Sequence, residues 1–432
     1  MKSTLYAAGL AAAAFAASAA HSAEIEFWYG NTGAVEEAIQ AQCAAFNAAQ
    51  SEHVVSCVGQ GGYEPAMQKA IAAYRSSQHP VLIQFFDAGT LDLMLSGAVR
   101  SVQDLMSDVD WDDYVVGARS FYETSTGELF SQPYNGSTLI FYANMDMLGD
   151  VGVSEIPQTY EDVVTVARKL KDNGHECPVL QRVHPWFSLE QFSARHGEAI
   201  ASNNNGYGGL DAEFTFNTGL VATHLQNIQS WRDEGLFRLP TDVAGGKNAF
   251  VTGECAMVEN STAHYAAAFP AHGDAIAIGL PPIYDGYQRH NTLIGGGSIW
   301  AMQGHDDADY DAARAFLNFV RQNDQQIEFA GRTGYMPVTN SALAALLASD
   351  KSDQLEYATA AVGVGSLNQP GDENSRGIRL GFYVQFRDVY TEEVTKALNG
   401  EQDMQVALDN AAKRGDELLR RFEKTYQGVS LP

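Results

Sequence analysis

The first seventy residues behind an apolar leader alternate between strand-like and helix-like segments, and that alternation leaves few folds open. "EIEFWY" at 24–29 reads as a strand, and "NTG" supplies a turn and a helix start. "AVEEAIQAQCAAFNAAQ" follows, with Val35, Ile39, Cys43 and Phe46 close to helical period. "HVVSCVG" is a second strand. "QGGYEPAMQKAIAAYRSS" is a second helix, with Pro65 in its first turn and Met67, Ile71 and Tyr74 as its expected buried face. "VLIQFFDAGT" completes a β-α-β-α-β series. Parallel strands need such crossovers, so the expected class is α/β, a parallel sheet covered by helices.

The third strand ends on an acid. Asp87 could be a ligand acceptor, because ligands of open α/β sheets bind beyond the carboxyl ends of the strands. It could equally cap a helix starting near Thr90. The residues alone leave both open. Further on, "STLIFYANMDML" reads as a buried strand, and Thr159 caps a helix that Gly174 ends. Helices are expected near 219–234, 308–322 and 402–426, with a short strand at "AIAIGLP" and a polar, glycine-rich loop at 201–218.

With 432 residues, 45% of them hydrophobic, the chain supports two domains. Residues 1–23 read as a secretory signal peptide: Lys2, an alanine-rich apolar stretch, then small residues, with cleavage after Ala20 or Ala23. An exported, unanchored product is expected. The formal net charge of −26 disfavours nucleic acid and anionic lipid as partners. Cys43, Cys57, Cys177 and Cys255 show no metal-ligand spacing. Export favours disulfides, Cys43 with Cys57 being the most local pairing, but buried free thiols stay open.

Catalytic signatures are missing from the sequence. There is no G-x-S-x-G elbow, H-E-x-x-H pair or Walker A loop, and no metal or cofactor is expected. "LIGGGSIW" at 293–300 reads as an anion-binding nest or a tight bend. Trp28 and Trp186 are placed to line a cleft. Arg376 and Arg379 stand out in so acidic a chain, either as surface ion pairs or as phosphate ligands.

The stretches "GGYEPAMQKAIAAYRSSQHPVLIQFFDAGT", "SQPYNGSTLIFYANMD", "IGGGSIWAMQG", "RTGYMPVT", "RGIRLG" and "RGDELLRRFEK", in this order, resemble the periplasmic sn-glycerol-3-phosphate-binding proteins. These are solute receptors of ABC importers, and the resemblance runs from about residue 25 to 426. It implies a two-lobed periplasmic-binding-protein fold, like maltose-binding protein, with three hinge crossings. These are placed near Pro133, Gly279–Pro281 and Gln325–Ala330. Lobe I is then 24–133 plus 281–328, and lobe II 134–280 plus 329–432. The implied ligand set is Tyr63, Asp87, Ser137, Ser261, Gly296, Tyr335 and Arg379, with Trp186 as an aromatic wall. Arg379 would take the phosphate, Gly296 would allow close backbone approach, and Tyr63 and Asp87 would take glycerol hydroxyls. Two positions depart from the family pattern: Asp87 replaces a glutamate, and Val183 stands where an aromatic is usual.

The expected function is a periplasmic receptor, not an enzyme, that captures sn-glycerol 3-phosphate or a glycerophosphodiester such as glycerophosphocholine. Its partners would be permease transmembrane subunits with a cytoplasmic ATPase, and a monomer is expected. A neutral sugar or oligosaccharide is the alternative ligand, and a secreted hydrolase is a third reading.

Overall fold

The structure is a computed structural model, describing residues 23–242, 249–351 and 354–432. The expected leader, up to residue 22, lies outside the described residues. Eleven strands among the described residues form two sheets. β1 (Ala23–Tyr29), β2 (His53–Gly59), β3 (Leu82–Phe86), β4 (Val99–Arg100) and β5 (Gln132–Ser137) belong to the first. β6 (Leu139–Asn144), β7 (Cys177–Leu180), β8 (Phe237–Arg238), β9 (Cys255–Ser261) and β10 (Ile276–Gly279) form the second. β11 (Gly295–Met302) returns to the first, in the order β2-β1-β3-β11-β4, with β5 also paired to β11.

β1 runs parallel to both β2 and β3, as the β-α-β-α-β pattern requires, whereas β11 is antiparallel to its neighbours. "GGGSIW" is therefore strand, and neither a nest nor a bend. In the second sheet the order is β10-β6-β9-β7-β8. Strand alternation divides its core: Phe141 and Ala143 pack with the helix Tyr160–Asp172, while Ile140 and Tyr142 pack on the opposite face with Val258 and Tyr265. In the first sheet Phe27 is wholly buried and its ring lies 5.6 Å from Phe316.

The lobe junctions differ from expectation. Pro133 is not a crossing: it pairs with Ser298 inside the first sheet, and the chain changes sheets at Thr138, between β5 and β6. Gly279 ends β10, and Ile283 still pairs with Thr159 of the second lobe. The return comes later, where Thr138 Oγ1 donates to Thr292 Oγ1 at 2.7 Å and Gly295 opens β11. Gln325–Ala330 lies inside the helix Asn323–Thr333.

The helix Tyr63–Arg75 also differs. It buries Ala66, Met67, Ala70 and Ala73, leaving Ile71 and Tyr74 partly exposed, because small alanines let it sit closer to the sheet. Thr159 accepts from the Asp162 N–H as expected. All four cysteines are paired, Cys43–Cys57 from helix to strand and Cys177–Cys255 across neighbouring strands, which overturns the free-thiol alternative. Among the described residues no helix is long and apolar enough to cross a membrane.

Candidate ligand-binding cleft

β2, β3, β5 and β9 all end at one edge, where β11 begins. A cleft of about 510 Å³ opens there, within the range of small-molecule sites. Tyr63, Asp87, Ser137, Trp186, Ser261, Gly296 and Tyr335 all line it. These residues span more than 270 positions, and the strand ends bring them together.

Arg379 is the exception. It is 4% exposed, but it does not line the cleft. Its Nη2 donates to the Glu123 carbonyl at 2.8 Å, its Nη1 faces Met94 Sδ, and its guanidinium lies over Tyr207. Its backbone N–H is tied to Asn205, which holds the residue in a packing role. Arg376 stacks on the same Tyr207 ring. The arginine of this region that lines the cleft is Arg387, eight residues later on the helix Tyr383–Leu398. Trp28 and Val183 also stay out: Trp28 bonds Glu26, and Val183 packs against the core.

Arg387 is held by two carboxylates. Its Nε and Nη2 donate to Glu190 at 2.8 and 2.6 Å, and its Nη2 and Nη1 donate to Asp87 at 2.9 and 3.3 Å. All three side chains are nearly inaccessible. Burial pushes the Glu190 carboxyl up against the pull of Arg387, and the two acids hold the Arg387 guanidinium firmly protonated despite desolvation. Asp87 is thus no helix cap; Gly89 holds that position without a side-chain bond. The open question of the third strand resolves toward the cleft. Glu190 was not singled out in the sequence, because only tertiary packing sets it beside Arg387.

Tyr63 stacks on Phe86 at 5.3 Å, and its oxygen accepts from Asn135 at 2.8 Å and Asn31 at 3.3 Å. Gln84 orients both amides, donating to Asn31 and Asn135 at 2.6 and 2.8 Å. Burial, and the neighbouring Tyr335 hydroxyl, push Tyr63 well above the usual phenol range, so it remains a donor. Across the cleft, Ser261 Oγ accepts from the Ala263 N–H at 3.2 Å, leaving its proton available. Ser137 Oγ makes no hydrogen bond among the described residues.

Two glycines have specific reasons. A Cβ on Gly295 would lie 2.5 Å from the Trp186 ring, so the indole can seat only on bare backbone. Gly296 has φ +93, and a Cβ there would meet the Asn135 carbonyl at 2.0 Å. Within the structure, Gly296 thus permits the close approach of β5 to β11 at the cleft.

The wall from the second lobe carries Arg182, His184, Phe187, Asn260 and His264. Desolvation brings Arg182 down to about 10, and it brings His184 to about 3 and His264 to about 4. Arg182 stays charged at neutral pH and both imidazoles stay neutral. Among the described residues no group of His, Cys, Asp and Glu is arranged to hold a metal ion.

Two sheets joined by crossings, with a polar cleft at the facing strand ends, define a solute-binding protein. Residues 41–358 match the bacterial extracellular solute-binding proteins, and the chain belongs to that family. It is 32% identical over 420 residues to the sn-glycerol-3-phosphate-binding periplasmic protein UgpB of Yersinia pseudotuberculosis, covering 95% of each chain. It is 33% identical over 406 residues to the UgpB of Brucella melitensis, covering 92% of this chain and 93% of that one. Among solved structures it resembles UgpB from Mycobacterium tuberculosis in complex with glycerophosphocholine, with a TM-score of 0.76 and 19% identity. It covers 92% of this chain and 99% of that one. The GacH receptor of Streptomyces glaucescens has the same TM-score at 17% identity, again over 92% and 99%. These two likenesses concern the fold, which is the two-lobed α/β arrangement of maltose-binding-protein-like receptors.

Proposed function

We propose that this chain is the receptor of an ABC importer that captures sn-glycerol 3-phosphate or a glycerophosphodiester. It acts in the periplasm as a monomer, catalyses nothing, and delivers its ligand to permease transmembrane subunits driven by a cytoplasmic ATPase. The hinge elements are Thr138 and the segment near Thr292–Gly295.

The observation that carries this reading is the chemical division of the cleft. On one side Asp87, Glu190 and Arg387 set two carboxylates against one guanidinium beside Tyr63 and Tyr335. That arrangement repels a phosphate dianion but suits neutral hydroxyls, which donate to Asp87 and accept from Tyr63. Elsewhere along the cleft Ser137, Ser261 and Arg182 offer hydroxyls and charge, and the other lining carboxylate, Glu64, follows Tyr63 in the chain. A molecule with vicinal hydroxyls at one end and a phosphate next to them matches this order. The sequence resemblance to UgpB proteins points to the same ligand class.

Thermal shift and calorimetry with sn-glycerol 3-phosphate, glycerophosphocholine and maltose test the reading. Binding to the folded state raises the melting temperature. Both glycerol phosphates are expected to bind, and maltose is not. Maltose binding without either phosphate would establish the sugar alternative, and turnover of glycerophosphocholine would establish a hydrolase.

A further inference from the structure

The cleft holds two arginines in opposite states. Arg387 is fully paired, whereas Arg182 forms no ion pair and no side-chain hydrogen bond among the described residues. Its guanidinium lies 4.5 Å from the centroid of the Phe187 ring, which orients the plane without neutralising it. A half-buried cation with no counter-charge beside it among the described residues, in a chain of net charge −26, costs solvation free energy.

Its neighbours point the same way. The Trp186 backbone N–H donates to His184 Nδ1 at 3.2 Å, so neutral His184 carries its proton on Nε2 as a donor. His264 lines the same cleft, and its buried Nε2 has no hydrogen-bond partner among the described residues. No carboxylate pairs with Arg182 among the described residues; Glu259, which lines a small neighbouring cavity with it, is paired with Arg195 at 2.9 Å and Tyr160 at 2.7 Å.

We infer that Arg182, with His184 and His264 as neutral donors, is an anion subsite that makes the receptor select the phosphate monoester dianion over diesters with a cationic headgroup. This rests on the glycerol phosphate reading above and adds the charge preference. A quaternary ammonium entering beyond the phosphate would meet Arg182, a like charge lining the same cleft, with Val183 packed against the core instead of supplying a second aromatic face.

The test is calorimetric titration of wild type, Arg182→Gln and Arg182→Lys with sn-glycerol 3-phosphate, glycerophosphoglycerol and glycerophosphocholine. Wild type should bind them in that order of decreasing affinity, with at least about tenfold between first and last, the scale of one charge-assisted hydrogen bond. Arg182→Gln should weaken glycerol 3-phosphate selectively and collapse the ratio, while Arg182→Lys should keep most of it. An unchanged ratio in Arg182→Gln, or equal weakening of all three ligands, overturns the inference but leaves the function standing. Wild type binding none of the three overturns the function itself. Should Arg182→Gln not fold, raising the salt concentration with wild type decides: the ratio must fall if charge sets it, and an unchanged ratio rejects the inference.

Discussion

Three arginines occur within "RGIRLGFYVQFR", and only one reaches the cleft. Arg387→Ala would leave Asp87 and Glu190 buried without a counter-charge. Breaking such a pair costs about 3–5 kcal/mol, so the variant should lose both ligand binding and much of its stability. Arg387→Lys should restore part of the stability but little binding, since an ammonium cannot engage two forks at once. Arg379→Ala is expected to behave differently. Ligand affinity should stay within a few-fold of wild type, while stability falls by about 1–3 kcal/mol through the lost Glu123 carbonyl and Tyr207 contacts. Urea denaturation and calorimetry on the two alanine variants separate these roles. A loss of affinity in Arg379→Ala without loss of stability would return that residue to the site.

At the scale of elements, the junction of β5 and β11 holds the cleft floor in register. Gly296→Ala puts a side chain on a φ of +93 and against the Asn135 carbonyl. A loss of at least about 1–3 kcal/mol is expected, together with weaker binding, because Asn135 also orients Tyr63. Differential scanning calorimetry of the variant checks it, and a wild-type melting temperature would refute it. The disulfides should rank by the loops they close. Cys177–Cys255 spans 78 residues and Cys43–Cys57 spans 14, so removing the first should cost more within the usual range of about 2–5 kcal/mol. Paired serine variants, compared in urea, measure the order.

For the whole molecule, two behaviours follow. Two lobes joined at Thr138 and near Thr292–Gly295 should rotate closed on ligand, and solution scattering should show a smaller radius of gyration with saturating glycerol 3-phosphate. An unchanged radius with binding confirmed would reject closure. The second behaviour is a pH dependence. His196 donates from Nδ1 to the Phe192 carbonyl at 2.8 Å and accepts at Nε2 from the Tyr284 N–H at 3.2 Å, so protonation breaks a bond. Burial lowers His196 to about 3 and His224 well below its usual value. Their folded pKa values lie below the unfolded value of about 6.5, so the unfolded chain takes up protons first as pH falls. The stability they contribute is present above that pH and lost below it, by roughly 1.4 kcal/mol per pH unit for each histidine. His184 and His264 act in the same direction. Asp92, raised by burial to about 7, and Glu190, also raised by burial, act in the opposite direction and offset part of it. The urea midpoint should therefore fall between pH 7.5 and 5.5, and a rise would show that the carboxyls dominate.

The order of elements was legible because hydrophobic period is local: the strands "EIEFWY" and "HVVSCVG" and the Thr159 cap lie where their patterns put them. Seven cleft residues were legible from motif resemblance, since motifs at strand ends move together with their strands. Side-chain destination was not. Whether an arginine meets Glu123 or Asp87 depends on how the helix Tyr383–Leu398 crosses strands some 300 positions earlier, and no local pattern encodes that distance. Chain crossings escaped for the same reason, because Pro133 and Thr138 differ in sheet membership, a property of pairing and not of composition. The sequence by itself determined the alternating elements, the α/β class and the family. Tertiary structure alone decided which charges are neutralised and which, like Arg182, line the cleft without an ion pair among the described residues, because electrostatic pairing is set by distances that only the folded chain creates.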